Sequence, residues 1–340
     1  MKKPFIIPIF IPHAGCRFQC AFCNQAAITG VKRRIISPEH LRILVNGYLR
    51  YNGQQRKPVQ IAYYGGNFLG LQNEDILMLL READQFVKAG TVDSIRFSTR
   101  PDTVTHERLD MVSSFPVSTV EIGVQSMCDE VLTAARRGHT AADTEKAAKY
   151  LKSRGYTLGM QMMAALPGSD EDKDIDSARK IADLGPDFVR IYPTAVVKDS
   201  LLARWYDEGK YQPLSLEAAV TLVKKIYFLF REKGIPVIRM GLQASEDLDK
   251  GISLVAGPYH PAFGHLVFSE IFSDMASSLL REAGDMAHRT VRFRVHPRSI
   301  SKMRGLRNRN IEILKSEFHL NSINVIADPS LGEEELRIEK

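Results

Sequence analysis

The sequence predicts an α/β fold in which parallel strands alternate with helices. Six apolar segments, most of them nearly continuously apolar, are separated by amphipathic segments between residues 5 and 194. Continuous apolarity is typical of strands that a parallel sheet buries on both faces. Six strand–helix units in succession imply right-handed crossovers between parallel strands. Such a chain winds into a closed or partial barrel or into a doubly wound sheet, and periodicity alone does not decide between them.

The predicted strands are apolar runs rich in β-branched residues, and the predicted helices have apolar residues at helical spacing. The strands are 5–13, 59–66, 94–100, 119–126, 157–168 and 188–194. The helices between them are 37–52, 73–88, 105–114, 140–155 and 169–185. The first helix opens at Ser37, with Pro38 in the first helical position, and two helices end at a glycine.

The rest of the chain is less regular and predicts an extension of this core. Its predicted elements are a helix over 215–234, a strand from 235, a loop and helix over 257–284, a strand over 290–297, a helix over 299–318, a strand over 322–330 and an acidic tail. We expect three parts: a core over 1–235, an extension of the barrel over 236–285, and a small basic α/β unit over 286–340.

Composition and charge indicate a soluble globular protein of the cytoplasm. Hydrophobic residues make up 44% of the 340 and charged residues 25%, and no 18 apolar residues run together, so no membrane span is expected. The first apolar run is interrupted by two prolines and lacks a cleavage site, which favours a buried strand over a signal peptide. The cysteine spacing gives no plausible disulfide pairing, as in a reducing compartment.

Three of the four cysteines, Cys16, Cys20 and Cys23, lie within eight positions, directly after the first predicted strand. A [4Fe–4S] cluster normally takes four cysteine ligands, so three would leave one iron open to another molecule. The alternative is a zinc site completed by His13, although such sites usually contain pairs of Cys-x-x-Cys. The other distinctive motifs also follow predicted strands, where the active sites of parallel α/β folds lie.

The spacing Cys-x-x-x-Cys-x-Phe-Cys resembles the signature of radical S-adenosylmethionine (radical SAM) enzymes. This resemblance implies a partial (β/α)6 TIM-like barrel, a [4Fe–4S] cluster held by the three cysteines, and S-adenosylmethionine (SAM) bound to the remaining iron. It also implies reductive cleavage of SAM to a 5′-deoxyadenosyl radical, with an electron donor such as a flavodoxin or a ferredoxin.

Further motifs resemble the SAM-binding positions of that family. The glycine pair Gly65–Gly66 would approach the methionyl amino group, Gln125 and Gln161 the ribose, and Arg137 the carboxylate. The cofactor-binding residues that the resemblance implies are Phe22, Gly65, Gly66, Asn67, Ser98, Gln125, Arg137, Gln161 and Met163. Glu121, inside an otherwise apolar strand, points either into the barrel mouth or to an arginine partner, because unpaired charges are rarely buried.

Residues 5–245 are most similar to the Elongator catalytic-subunit branch, whose members modify a wobble uridine in tRNA. That branch uses an acetyltransferase domain for which the remaining residues are too few, so its carboxymethylation chemistry is not expected. We predict a radical SAM enzyme that modifies RNA, with tRNA as the leading substrate. The alternatives are an oxidoreductase acting on a small molecule such as a tetrapyrrole, and a non-catalytic iron–sulfur or zinc RNA-binding module.

The segment from His288 to Asn310 contains eight Lys and Arg residues and no Asp or Glu. Its order of strand, basic turn, helix and strand faintly resembles a KH-type unit, in which a GxxG loop clamps a nucleic-acid backbone. Only Gly305 of the two glycines is present, and a capping unit of the barrel is the alternative. His260, His265 and Glu270 lie in a segment that either covers the barrel mouth or connects packed elements.

Overall fold

The computed structural model describes residues 4–25, 35–52, 58–243 and 246–339, and each of the six predicted core strands is present. The strands are β1 Phe5–Phe10, β2 Val59–Tyr64, β3 Ser94–Thr99, β4 Val117–Gln125, β5 Thr157–Ala164, β6 Phe188–Pro193, β7 Val196–Val197, β8 Val237–Met240, β9 Leu254–Ala256, β10 Thr290–Val295, β11 Ser322–Ala327 and β12 Leu336–Glu339.

The predicted core helices are also present, and shorter ones follow β4 and β7. The helices are α1 Pro38–Asn52, α2 Asn73–Lys88, α3 His106–Val112, α4 Asp129–Ala134, α5 Ala141–Ser153, α6 Glu171–Asp183, α7 Leu201–Asp207, α8 Leu216–Glu232, α9 Glu246–Asp249, α10 Phe263–Ala283, α11 Ile300–Arg304 and α12 Arg309–Glu317. Ser37 caps α1, since its hydroxyl accepts a hydrogen bond from the His40 N–H at 3.3 Å.

Seven parallel strands form one sheet in the order β1-β2-β3-β4-β5-β6-β8. This order follows the chain from one edge to the other. A doubly wound sheet would instead reverse its strand order at a switch point, so the barrel-like winding is confirmed. The sheet is a curled, open half-barrel, and side chains of β2 and β6 meet on its inner face: Tyr64 Oη lies 3.4 Å from Arg190 Nη2.

The hydrophobic core lies between the sheet and its outer helices. Alternate residues of β1, among them Ile7 and Ile9, are fully buried there, while their neighbours face the inside of the half-barrel. Helix α8 packs against α6 and α10. Among the described residues, no helix is long and apolar enough to cross a lipid bilayer.

The C-terminal unit is a three-stranded sheet in the order β11-β10-β12, packed with α11 and α12 against α10. Two expectations for this unit were wrong. The single helix predicted over 299–318 is two helices, because the chain turns at Gly305, where φ is 72°. The acidic tail contains a strand that the sequence did not predict, β12, which pairs antiparallel with β10. We propose that the unit begins near residue 286, as the sequence predicts, since it has its own hydrophobic cluster with the last turns of α10.

Candidate active site at the open end of the half-barrel

The three clustered cysteines lie on the loop that follows β1, at the carboxyl end of the sheet. Cys20 is buried, and Cys16 and Cys23 are half-buried. Main-chain hydrogen bonds hold this loop from two sides: the Ala21 N–H donates to Ala135 O at 2.9 Å, and the Leu202 N–H donates to Ala21 O at 2.8 Å. Segments that follow β4 and β7 therefore fix the loop.

The thiols share one small region of the structure. Burial, followed by the neighbouring Cys20 and Cys16, raises the pKa of the Cys23 thiol to about 12. The metal-free thiol is therefore protonated at neutral pH, and iron binding has to displace its proton.

His13 closes the cysteine loop and is not placed as a fourth ligand. Its Nε2 accepts a hydrogen bond from the Gln25 N–H at 2.9 Å, and its own N–H donates to Gln25 Oε1 at 2.5 Å. In the part of the chain that the structure describes, no three His, Cys, Asp or Glu side chains converge as the ligands of a single ion would. In a cubane each cysteine binds a different iron, so its ligands need not converge on one point. The geometry favours the cluster over the zinc site.

Gly65 and Gly66 bring the end of β2 against the cysteine loop. Gly65 has a φ of 82°, and a Cβ on Gly66 would lie 2.5 Å from Ile11 O. Only glycine allows this approach of two main chains.

Asn67 is fully engaged within the protein and 1% exposed. Its Nδ2 donates to Gly15 O at 3.0 Å, while its Oδ1 accepts from the Thr99 hydroxyl at 2.7 Å and from the Arg100 N–H at 3.0 Å. These contacts connect the cysteine loop to the end of β3. The cofactor contact that the resemblance implies for Asn67 stays a prediction.

Gln125 and Arg137 lie together over Gly123 on β4. A Cβ on Gly123 would come within 2.8 Å of both Gln125 Nε2 and Arg137 Nη2. Arg137 donates from Nη1 to Cys20 Sγ at 3.2 Å and from Nη2 to Gly123 O at 2.7 Å. Both Nη groups are thus occupied, and Nε is the guanidinium atom that lacks a partner among the described residues. The carboxylate pairing that the resemblance implies for Arg137 stays a prediction.

Glu121 is at the centre of a charged network on the inner face of the sheet. It is completely buried and forms ion pairs with Arg96 Nη2 at 2.5 Å and with Arg190 Nε at 2.7 Å. Tyr64 Oη and Gln161 Nε2 each donate to its carboxylate at 3.0 Å. Both of the readings left open by the sequence therefore hold: Glu121 faces the inside of the barrel and is paired with arginines.

The remaining predicted contacts lie around this network. Ser98 Oγ is 3.5 Å from Gln161 Nε2, which places both beside Glu121. Met163 and Phe22 belong to one hydrophobic cluster, so the structure brings Met163 close to the aromatic residue of the cysteine loop. These positions bring the cysteine loop, the glycine pair and the inner face of β3–β6 into one site.

Sequence reasoning missed several residues of the site, among them Arg96, Arg190 and His139. The sequence does mark the two arginines, because each is the single charged residue within an apolar strand. No feature of the sequence marks His139 as a site residue. Burial, followed by Arg137 and Arg100, lowers the pKa of His139 to about 2, so its ring is neutral, and its Nε2 lies 3.2 Å from Val124 O.

The segment after β9 does not bring its polar residues together over the site. Glu270 Oε1 accepts hydrogen bonds from Thr221 and Lys224 of α8, at 3.0 and 2.6 Å. His260 Nδ1 accepts from the Ala262 N–H, and His265 Nε2 lies 3.4 Å from Ser269 Oγ. Glu270 therefore fastens α10 to α8, as a packed connection does.

The site residues fit a cluster with an open iron and a charged organic cofactor. Three thiols share one loop, and close main-chain approach at Gly66 forms a tight wall beside it. Three buried polar atoms, Arg137 Nε, Arg100 Nη1 and His139 Nδ1, have no partner within the described residues. Buried polar atoms without partners are costly, and a bound polar molecule removes that cost.

Asp174 supports the turn after β5 and gives a pH-dependent prediction. Its carboxylate accepts from the Ala165 N–H at 2.7 Å and from Ser169 Oγ at 2.6 Å, and burial raises its pKa to about 6. The unfolded chain ionises this group near pH 4, so folding becomes less favourable as pH rises from about 4 to 6. We expect Asp174→Asn to remove about 2–3 kcal/mol of this pH-dependent loss. Urea unfolding of the wild type and the variant at several pH values measures the free energy of unfolding and its dependence on pH.

The matched control is Asp176→Asn, at a half-exposed position two residues further along α6. It should leave the pH profile between 4 and 6 unchanged. An Asp174→Asn profile that parallels the wild type would contradict the assignment.

The sequence of this chain is similar to two family models and to several known proteins. Residues 10–181 match the family model of the radical SAM superfamily, and residues 186–273 match that of the radical SAM C-terminal domain. A tRNA uridine(34) acetyltransferase of Methanocaldococcus jannaschii is 34% identical over 128 residues, which are 37% of this chain and 24% of that protein. Elongator complex protein 3 of Saccharomyces cerevisiae is 29% identical over 202 residues, which are 53% of this chain and 36% of that protein.

Among solved structures, Elp3 of the archaeon Methanocaldococcus infernus has the same fold. Its TM-score is 0.62 at 18% identity, over 81% of this chain and 64% of that one. The chain spans about a quarter to a third of the length of the two curated relatives, and the similarity of fold extends over most of this chain.

Proposed function

The chain belongs to the radical SAM superfamily, and we propose that it is an enzyme that cleaves SAM reductively in order to modify a tRNA. The cofactors of the superfamily are a [4Fe–4S] cluster and SAM. The observation that carries the proposal is the loop of Cys16, Cys20 and Cys23 at the carboxyl end of a half-barrel whose inner face is polar.

The site residues would bind either the cluster or SAM. Cys16, Cys20 and Cys23 would hold the cluster, which with SAM supplies a 5′-deoxyadenosyl radical when both are bound. Gly65 and Gly66 would accept the cofactor against the main chain. The other proposed SAM contacts are Phe22, Gln125, Arg137, Gln161 and Met163.

Arg137 and Asn67 would act through the loop that they hold. The Arg137 guanidinium donates to Cys20 Sγ and would favour the thiolate form that binds iron. Asn67 fixes the loop to β3, and the hydrophobic cluster of Phe22 and Met163 would exclude water from one side of the cofactor.

The tRNA assignment rests on the relatives. Two of them are named for uridine 34 of tRNA or for the Elongator complex, and the chain resembles the half-barrel part of these proteins. We do not extend their acetyl transfer to this chain, and the group that it adds is left open.

A small acidic metabolite is the second candidate substrate, and the charges of the sheet favour it. The seven strands carry four charged residues, Arg96, Glu121, Arg190 and Arg239. Arg190 and Arg239 lie side by side on β6 and β8. This net positive inner face would suit a carboxylate, for which arginine is a natural partner.

Anaerobic incubation of the reconstituted protein with dithionite, SAM and total tRNA tests the proposal. We expect 5′-deoxyadenosine and at least one nucleoside of altered mass after digestion of the tRNA. Formation of 5′-deoxyadenosine with no altered nucleoside would demote tRNA in favour of a metabolite. Absence of 5′-deoxyadenosine would support the third candidate, an RNA-binding module without catalysis.

A further inference from the structure

In the basic segment 288–310, some arginines form ion pairs with carboxylates and others form none within the described residues. Arg294 pairs with Glu339 at 2.9 Å and with Asp328 at 3.7 Å, Arg292 lies 3.7 Å from Glu339, and Arg298 lies 2.8 Å from Glu333. The acidic residues come from the last thirteen positions, which the sequence alone does not connect to β10. Three of the eight basic residues of the segment are therefore paired with carboxylates of the same unit.

Three of the arginines outside this pairing lie together at the turn between α11 and α12. Arg304, Arg307 and Arg309 are exposed, and none forms an ion pair within the described residues. We name residues 304–309 the arginine turn. Its backbone bends sharply, with φ of 72° at Gly305, 52° at Arg307 and 64° at Asn308. Three positive charges are thus held within six residues of one exposed turn.

The arginine turn is anchored near the end of the half-barrel that carries the cysteine loop. Asn310 Nδ2 donates to Ser269 O on α10 at 2.7 Å, and Lys302 Nζ lies 4.6 Å from the centre of the Phe268 ring. Helix α10 begins at Phe263, which packs against Gly241 directly after β8: a Cβ on Gly241 would lie 2.5 Å from Phe263 Cβ. Ser269 is six residues along the helix, or roughly 9 Å, from that start.

We propose that the arginine turn binds the phosphate backbone of the RNA whose nucleotide enters the half-barrel. This inference rests on the proposed function and adds a second, separate contact with the substrate. Arginine binds phosphate through two parallel N–H groups, and phosphate contacts orient a nucleic acid without reading its sequence. The N-terminus of α12 adjoins this turn, and Asn308 provides no side-chain cap for it.

The test compares RNA binding by two triple variants of the reconstituted holoprotein. One is Arg304→Gln, Arg307→Gln, Arg309→Gln. The control, Arg50→Gln, Arg81→Gln, Arg179→Gln, removes the same charge from exposed positions on α1, α2 and α6. Fluorescence anisotropy with a labelled tRNA transcript is measured from 50 to 300 mM salt, and circular dichroism checks that both variants fold.

We expect the arginine-turn variant to bind the transcript about tenfold more weakly, with the slope of log affinity against log salt reduced by about 2, since each lost phosphate contact removes roughly 0.7–0.9. The control variant should keep the wild-type slope. If both variants bind like the wild type while tRNA is still modified, the inference is wrong and the proposed function stands. If the wild type neither binds nor modifies tRNA, the proposed function fails and the inference fails with it.

Discussion

Replacing Cys20 with alanine should abolish formation of 5′-deoxyadenosine. Cys20 is the buried member of the three cysteines and the one whose sulfur accepts a hydrogen bond from Arg137. Its removal leaves two protein ligands for a cluster that already has one open iron. Mutation of outer contacts of a metal site costs about 10–100-fold, so loss of a ligand should cost more than about 100-fold. Iron content, the low-temperature paramagnetic signal after dithionite, and 5′-deoxyadenosine yield measure the effect.

Cys128→Ala provides the matched control. Cys128 is half-buried at the start of α4 and lies outside the cysteine loop. This variant should keep its iron, its paramagnetic signal and its turnover. Retention of iron and turnover by Cys20→Ala would contradict the ligand assignment, and so would their loss in Cys128→Ala alone.

The fold was predictable from the sequence because its strands and helices carry strong local signals. Buried parallel strands are continuously apolar, and the helices begin at recognisable caps such as Ser37 and the capping box at Thr140. The order of the strands was not predictable from periodicity, because that order depends on how the helices pack across the sheet. The break at Gly305 was missed because the helical pattern continues on both sides of one glycine.

The site was predictable where a short motif carries the chemistry. The cysteine spacing and the glycine pair are local, so the sequence displays them. The partners of Glu121 come from strands far apart in the chain, and the sequence predicted that partners exist without identifying which. Asn67 shows a similar limit, because the motif does not reveal that its side chain forms hydrogen bonds with Gly15 and Thr99.

The same limit applies to the charge of the C-terminal unit. The segment from His288 to Asn310 contains eight basic residues and no Asp or Glu, and the sequence does not show which of them form ion pairs. Folding places the carboxylates of β12 and its preceding turn against Arg294 and Arg298, and leaves the arginine turn exposed. The sequence therefore showed a basic segment, and only the tertiary structure shows which of its arginines form no ion pair among the described residues.

Replacing Glu121 with glutamine should destabilise the fold by about 3–5 kcal/mol, because it removes the negative partner of two buried arginines. Arg96 and Arg190 would then hold two positive charges within the half-barrel with no carboxylate beside them. Urea unfolding, followed by the fluorescence of the single tryptophan and by circular dichroism, measures the loss. The control Glu208→Gln, which breaks an exposed ion pair with Lys210, should change the free energy of unfolding by less than about 1 kcal/mol.

The pH dependence separates this electrostatic effect from a packing defect. Burial alone would raise the pKa of Glu121, but Arg190 and Arg96 outweigh it and hold that pKa below its usual range. The stabilisation is therefore fully present above the pKa of an unfolded glutamate, about 4.3, and is lost as pH falls through the lower folded pKa. The difference between wild type and Glu121→Gln should shrink in acid below about pH 4. A deficit that stays constant from pH 7 to pH 3 would mean that lost packing, and not lost charge, destabilises the variant.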